Sequence, residues 1–371
     1  MTINSDVLES YNWDDDYVLT VADNATFAVY RITSMISILS SICILMETWA
    51  DLRAGVGTTV ARILFSLQLG LIPAMVCYFI GSWAAPTHAE SNALGARGTI
   101  ATCEAAGFVL NFGNFVAIQW DIALSITYVL MIRYNTPVDK LKKMEYYFHG
   151  IIWSIGLAAS IPPLFLDLYN ANWEICGLDV SPHTCIDDGN CFRGDPEILP
   201  IFQAIVVFVS LLGIGISAFA MVSIYLYARK LEARNSLYSS GELSHNHSSN
   251  QAVSTRIAWQ GIMYSGAILL SYLPSAIHLF VGIAFGMWSS WFSVFEVALR
   301  TLYGFFYLLV FLRQRPMDNM RTTYGRFIRR LVYCEGVSLY RIRASQENEG
   351  KGDEDKEETY RQQGRSISAD L

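Results

Sequence analysis

Long apolar stretches alternate with short polar ones along the whole chain. A helix needs about 20 apolar residues to cross a hydrocarbon core of about 30 Å. Stretches of that kind run over 25–46, 60–84, 100–132, 147–168, 198–228, 254–284 and 288–312. They predict an all-α membrane protein built as a seven-transmembrane helix bundle. The first stretch is diluted by Arg31 and several Ser and Thr residues, and the third and fifth are longer than a perpendicular crossing needs, so they should tilt or project.

Flanking segments have a different character. Residues 1–24 form an acidic tail, and 25–312 hold the bundle. After it, RQRPMDNMRTTYGRFIRRLVYC places Met320, Tyr324, Phe327 and Leu331 at helical spacing opposite a row of Arg. That pattern predicts an amphipathic membrane-surface helix within 313–334, with Cys334 where a palmitoyl chain could anchor it. Residues 335–371 are charged, lack aromatic clusters and are expected to be a disordered cytosolic tail. NSLYSSGELSHNHSSNQ, between spans five and six, reads as a mobile loop.

Composition supports membrane burial, with 53% hydrophobic and only 16% charged residues. Charge then sets orientation, because Lys and Arg concentrate on the cytosolic side. One set of connections holds Arg53, Arg133, Lys140, Lys142, Lys143, Arg229, Lys230, Arg234, Arg256 and the arginines from Arg313 to Arg330, whereas the other holds only Arg97 and Arg193. The N-terminus should therefore lie outside and the C-terminus in the cytosol. No basic n-region follows Met1, so the first span is expected to direct insertion itself. Cys103, Cys176, Cys185 and Cys191 all fall on the oxidising side, enough for two disulfides, and the four allow three pairings. Cys43 and Cys77 read as apolar filler inside spans. Of two sequons, Asn24-Ala-Thr abuts the membrane and Asn246-His-Ser lies on the cytosolic side.

Several chemistries are excluded. A retinal protein needs a buried lysine for its Schiff base, yet the lysines are Lys140, Lys142, Lys143, Lys230, Lys351 and Lys356, in loops or tail. GIGISA (213–218) matches a dinucleotide glycine pattern but lies inside an apolar span without a preceding strand. No HExxH, GxSxG, CxxC or P-loop occurs, so no catalytic residues, metal or cofactor are expected. Secondary transporters commonly carry internal repeats with broken helices in both halves, and no repeat is visible.

The third span carries the most informative polar residues. Asn111, Asn114, Asp121, Ser125 and Tyr128 are spaced 3, 7, 4 and 3 apart and form a stripe that should face the bundle interior. Two readings fit this seam: hydrogen bonding that fixes packing, or a proton- or ion-sensitive element. By helical rise Asp121 is about 27 Å from the outer end and Arg300 about 18 Å. That mismatch argues against a direct pair, and Glu296, four residues before Arg300, is the better partner for the arginine. Asn111 and Glu296, each about 12 Å deep, and His278, about 9 Å deep, can converge on a ligand pocket. Tyr272 would lie below them, with Trp288 and Trp291 at the rim.

Cys103 at the outer head of span three, Trp120 in WDIALSITYVLMIRY and Arg133 at the exit resemble the third helix of the cyclic-AMP-receptor-like G-protein-coupled receptors of slime moulds. IRYNTPVDKLKKMEYYFH, NWEIC with a later CFRGD, and LYGFFYLLVFLRQRP are similar to motifs of uncharacterised receptor-like proteins of diatoms and related algae. The resemblance covers about residues 60 to 330. It implies a multi-pass plasma-membrane receptor that responds to an extracellular small molecule or peptide, signals to a heterotrimeric G protein and does not bind nucleic acid. It also implies a Cys103–Cys176 bridge, leaving Cys185–Cys191 as a small local loop, with Cys103–Cys191 the main rival. Arg133, Tyr134, Lys140, Lys142, Lys143, Arg229 and Lys230 would face the G protein, and Pro274 would kink span six. The chain departs from rhodopsin-like receptors: Ile132 replaces the acid before Arg133, and Tyr303-Gly-Phe-Phe-Tyr307 stands in place of Asn-Pro-x-x-Tyr. A transporter or channel using the polar face of span three is the alternative.

Overall fold

The computed structural model describes residues 13–87, 95–172, 175–182, 185, 191–238, 245–285, 290–315 and 320–333. Helices follow the apolar stretches closely. α1 (Trp13–Arg53) and α2 (Thr59–Ile80, continued by a tight turn at Gly81–Ala84) come first. α3 (Ile100–Ile132) and α4 (Val138–Phe165) follow. A hairpin of β1 (Tyr169–Asn172) and β2 (Ile175–Leu178) precedes α5 (Leu199–Tyr238) and α6 (His245–Phe285). α7 (Ser290–Thr301), α8 (Tyr303–Gln314) and α9 (Thr323–Tyr333) complete the chain. It divides into two compact units, Met1–Pro316 and Met317–Leu371, with α9 in the second.

Among the described residues, five helices are long and apolar enough to cross a membrane: Ala25–Arg53, Thr59–Ala84, Ile100–Ile132, Val138–Phe165 and Leu199–Lys230. A sixth crossing would be the bent pair Trp291–Thr301 and Tyr303–Arg313. The chain is thus a largely helical, multi-pass membrane protein. The expected stretch 254–284 lies within α6, part of which falls outside the described side chains. One expected span differs in form. The stretch 288–312 is not one helix, because α7 and α8 meet at 44°.

The break in the last pair has a local cause. At Leu302 the backbone flattens to φ −77° and ψ 3°, and the Gly304 N–H donates to the Ser37 hydroxyl on α1 at 2.9 Å. A methyl group at Gly304 would come within 2.5 Å of both the Ser37 and Ser41 hydroxyls. The glycine therefore lets two backbones approach closely while a side chain from α1 satisfies an N–H that the interrupted ladder leaves over.

Helix starts are encoded locally. Thr58 caps α2 by accepting from the Ala61 N–H at 3.2 Å. Thr99 and Thr102 form a reciprocal capping box at the start of α3. α3 is the axis of the larger unit, packing against α2, α4, α5, α6 and both strands. It approaches α2 closely through Gly70 and Gly113, where an added methyl group would overlap the facing helix.

Candidate functional site

Polar groups of α3 engage different neighbours at successive depths. At its first turn Cys103 is bridged to Cys176 of β2, and Cys185 is bridged to Cys191. The first bridge draws the hairpin over the end of α3 and places Tyr169 of β1 in the bundle. There the Tyr169 hydroxyl donates to the Ser160 carbonyl at 2.9 Å and accepts from the Asn111 amide at 3.0 Å. Gly107 leaves room for the ring. Burial pushes the Tyr169 phenol up to about 12, partly offset by these two hydrogen bonds.

Asn111 is therefore committed to α4 and the hairpin, and the stripe read from spacing divides. Ten residues of helix turn separate Asn111 from Asp121, enough to rotate it toward α4. Asn114 instead donates to the Tyr78 hydroxyl of α2 at 3.2 Å. Asp121, Ser125 and Tyr128 are fully buried in the middle of the bundle. Oδ1 of Asp121 accepts from the hydroxyl of Tyr307 on α8, while Oδ2 has no hydrogen-bond partner among the described residues. Ser125 lies 3.5 Å from both Ser217 of α5 and Ser265 of α6. Around this carboxyl gather five buried tyrosines: Tyr128 with Tyr264, Tyr264 with Tyr307, Tyr307 with Tyr303, and Tyr303 with Tyr272, at ring separations of 6.1, 5.0, 4.9 and 5.6 Å.

A small cavity opens beside Asp121. Ser210 and Ser217 of α5 and Tyr272 of α6 supply its polar wall, with Ile118 and Ile268 among the apolar residues. Its size suits about one water.

His278 and Glu296 meet between α6 and α7, with 3.6 Å separating Nδ1 from the carboxylate, and Phe292 stands edge-on to the imidazole. Glu296 thus faces His278 and also acts electrostatically on Arg300, the partner its helical spacing implies. Arg300 donates to the Tyr30 hydroxyl at 3.2 Å and lies over the Tyr78 ring. Asn111 donates instead to Tyr169 and Ser160. Tyr272 is buried and Trp291 exposed, while Trp288 and Cys334 lie outside the described residues.

At the far end of α3, Arg133, Tyr134, Lys140, Lys142 and Lys143 are exposed, as are Arg229 and Lys230 on α5. Two ion-pair clusters fasten the helices at this end. Arg62 of α2 clamps Glu145 of α4 at 2.6 and 2.8 Å. Arg315 engages both Glu47 and Asp51 of α1. Pro274 lies inside α6.

Sequence reasoning missed the residues whose importance arises only from packing: Tyr307, Tyr169, Ser217 and Ser265. Tyr307 had a signal, since it stands in the Tyr303-Gly-Phe-Phe-Tyr307 motif, but its partner lies 186 residues away on α3. No family model matches the chain, and the comparison with curated proteins returns no significant relative.

Proposed function

We propose that this is a seven-helix receptor of the G-protein-coupled type, lying in the plasma membrane with its N-terminus outside. It would carry an extracellular signal to a cytosolic G protein by conformational change, without catalysis. The observation that carries this reading is the course of α3. A disulfide ties one end to the hairpin, the middle is bonded to the bent α7–α8 pair through Tyr307, and the other end exposes Arg133, Tyr134 and a lysine cluster.

A small molecule or peptide at the hairpin end would act on Asn111 and Tyr169 or on the His278–Glu296 pair, with Trp288 and Trp291 toward the rim. It shifts the bundle only as far as it binds one arrangement better than the other. Movement of α6 about Pro274 would widen the lysine-rich end, where a basic face favours the approach of an acidic partner. A panel of extracellular metabolites and peptides, applied to cells expressing the chain with a G-protein activation reporter, tests this reading. A response that needs the chain supports it, and silence across the panel with the chain at the cell surface counts against it.

The alternative, a transporter or channel, draws on one observation: the buried carboxyl and hydroxyls that α3 shares with α5, α6 and α8. Flux across liposomes holding the purified protein alone would favour it.

A further inference from the structure

We propose that the cavity beside Asp121 binds a dehydrated monovalent cation of sodium's size. Asp121 is 1% exposed and lines this cavity, and its Oδ2 is buried without a hydrogen-bond partner among the described residues. A lone carboxylate in such surroundings is costly to bury unless something neutralises it. No Lys, Arg or His among the described residues lies within ion-pair distance. Arg300 is turned to Tyr30 and Tyr78, and Arg315 to Glu47 and Asp51.

Hydroxyls rather than bases line the cavity with this carboxyl. Ser210, Ser217 and Tyr272 share the wall with Asp121, and Ser125 stands one turn along α3, 3.5 Å from Ser217. Carboxylate and hydroxyl oxygens are hard donors suited to hard cations. One carboxylate balances one positive charge, whereas a divalent ion would leave a buried net charge in a site with no second acid. The room for about one water suits a single small ion together with the oxygens around it. Tyr307 holds Oδ1 by donating to it, which leaves Oδ2 as the oxygen without a partner among the described residues. Because the ion would join α3, α5 and α6, it favours the packing in which those helices meet.

The test is thermal unfolding of the purified protein in detergent, followed by tryptophan fluorescence, in NaCl, KCl or N-methylglucamine chloride at one ionic strength of about 0.15 M, so that screening is equal. The wild type should melt about 2 °C or more higher in NaCl than in the other two salts, with a saturable dependence on sodium. Asp121→Asn should lose that response. Ser217→Ala, which keeps the carboxylate and serves if Asp121→Asn fails to fold, should raise the half-saturating sodium severalfold. Equal melting in all three salts, equal stabilisation by KCl and NaCl, or an unchanged sodium response in Asp121→Asn would overturn the proposal. A melting temperature that follows acidification but no cation would assign a neutral acid there and overturn it too. The assay needs neither agonist nor G protein, so its failure leaves the receptor reading standing.

Discussion

Tyr307 donates its hydroxyl to the carboxyl of Asp121 across 186 residues of sequence, joining α3 to α8, the second helix of a pair that is broken one turn earlier. The bond links two features that were separate anomalies in the sequence: an acid in an apolar run and a Tyr-Gly-Phe-Phe-Tyr motif in the last apolar stretch. It makes the α7–α8 break and the α3 seam parts of one arrangement.

Removing the donor should expose the cost of the acceptor. Tyr307→Phe leaves Oδ1 of Asp121 without its hydrogen bond in a buried setting, a loss of about 1–3 kcal/mol. Asp121→Asn combined with Tyr307→Phe should cost less than the sum of the single changes, because both act on one contact. Thermal unfolding of the four proteins measures this, and strict additivity would mean that the two residues are energetically independent.

The break itself depends on a missing methyl group. Gly304→Ala should destabilise the protein by about 1–3 kcal/mol, the cost of overpacking, because its Cβ would crowd the Ser37 and Ser41 hydroxyls. Ser37→Ala should relieve part of that crowding, so the pair should again be less harmful than the sum. Surface expression and detergent melting curves both report it. Full tolerance of Gly304→Ala would show that the close approach is not required.

Much of this fold was legible in the sequence, and some of it for reasons that local chemistry supplies. Apolar runs gave the helices, while the caps at Thr58, Thr99 and Thr102 came from the structure. The even number of cysteines on one side anticipated two bridges. Helical spacing could not reveal that Asn111 leaves the stripe, since its destination, Tyr169, lies in a hairpin positioned by a disulfide. Nor could spacing show that Phe292 stands beside His278 and Glu296, which helical rise had already brought to similar depths. Both outcomes depend on contacts between elements far apart in sequence, which periodicity within one element does not contain.

The hairpin bridge should matter more than the small loop. Cys103–Cys176 spans 73 residues and Cys185–Cys191 only 6, for which chain-entropy arguments give about 4 and about 2 kcal/mol. Cys103→Ser and Cys176→Ser should lower surface expression to the same degree, and the double variant no further. Cys185→Ser and Cys191→Ser should be milder. Non-reducing peptide maps joining Cys103 to Cys185 or Cys191 would contradict the arrangement.

Tyr169 predicts a pH effect with a defined sign. The folded phenol is pushed up to about 12 by burial, whereas an unfolded one titrates near about 10. Stability tied to the neutral ring is therefore fully present below the unfolded value and lost as the pH rises through the folded one. Tyr169→Phe should flatten the alkaline part of the unfolding profile and leave neutral pH largely unaffected apart from the lost hydrogen bonds. Identical alkaline slopes for the two proteins would contradict the burial of this hydroxyl.

The central claim is that an extracellular ligand drives a G protein through the exposed Arg133 end of α3. The direct measurement is nucleotide exchange by a purified heterotrimeric G protein on vesicles holding the chain alone, with ligand binding measured in parallel. The account predicts ligand-stimulated exchange that falls by about tenfold in Arg133→Ala, equivalent to about 1.4 kcal/mol of coupling, while ligand binding is retained. Exchange that never responds to a bound ligand, or ligand movement across vesicles without any G protein, would contradict it.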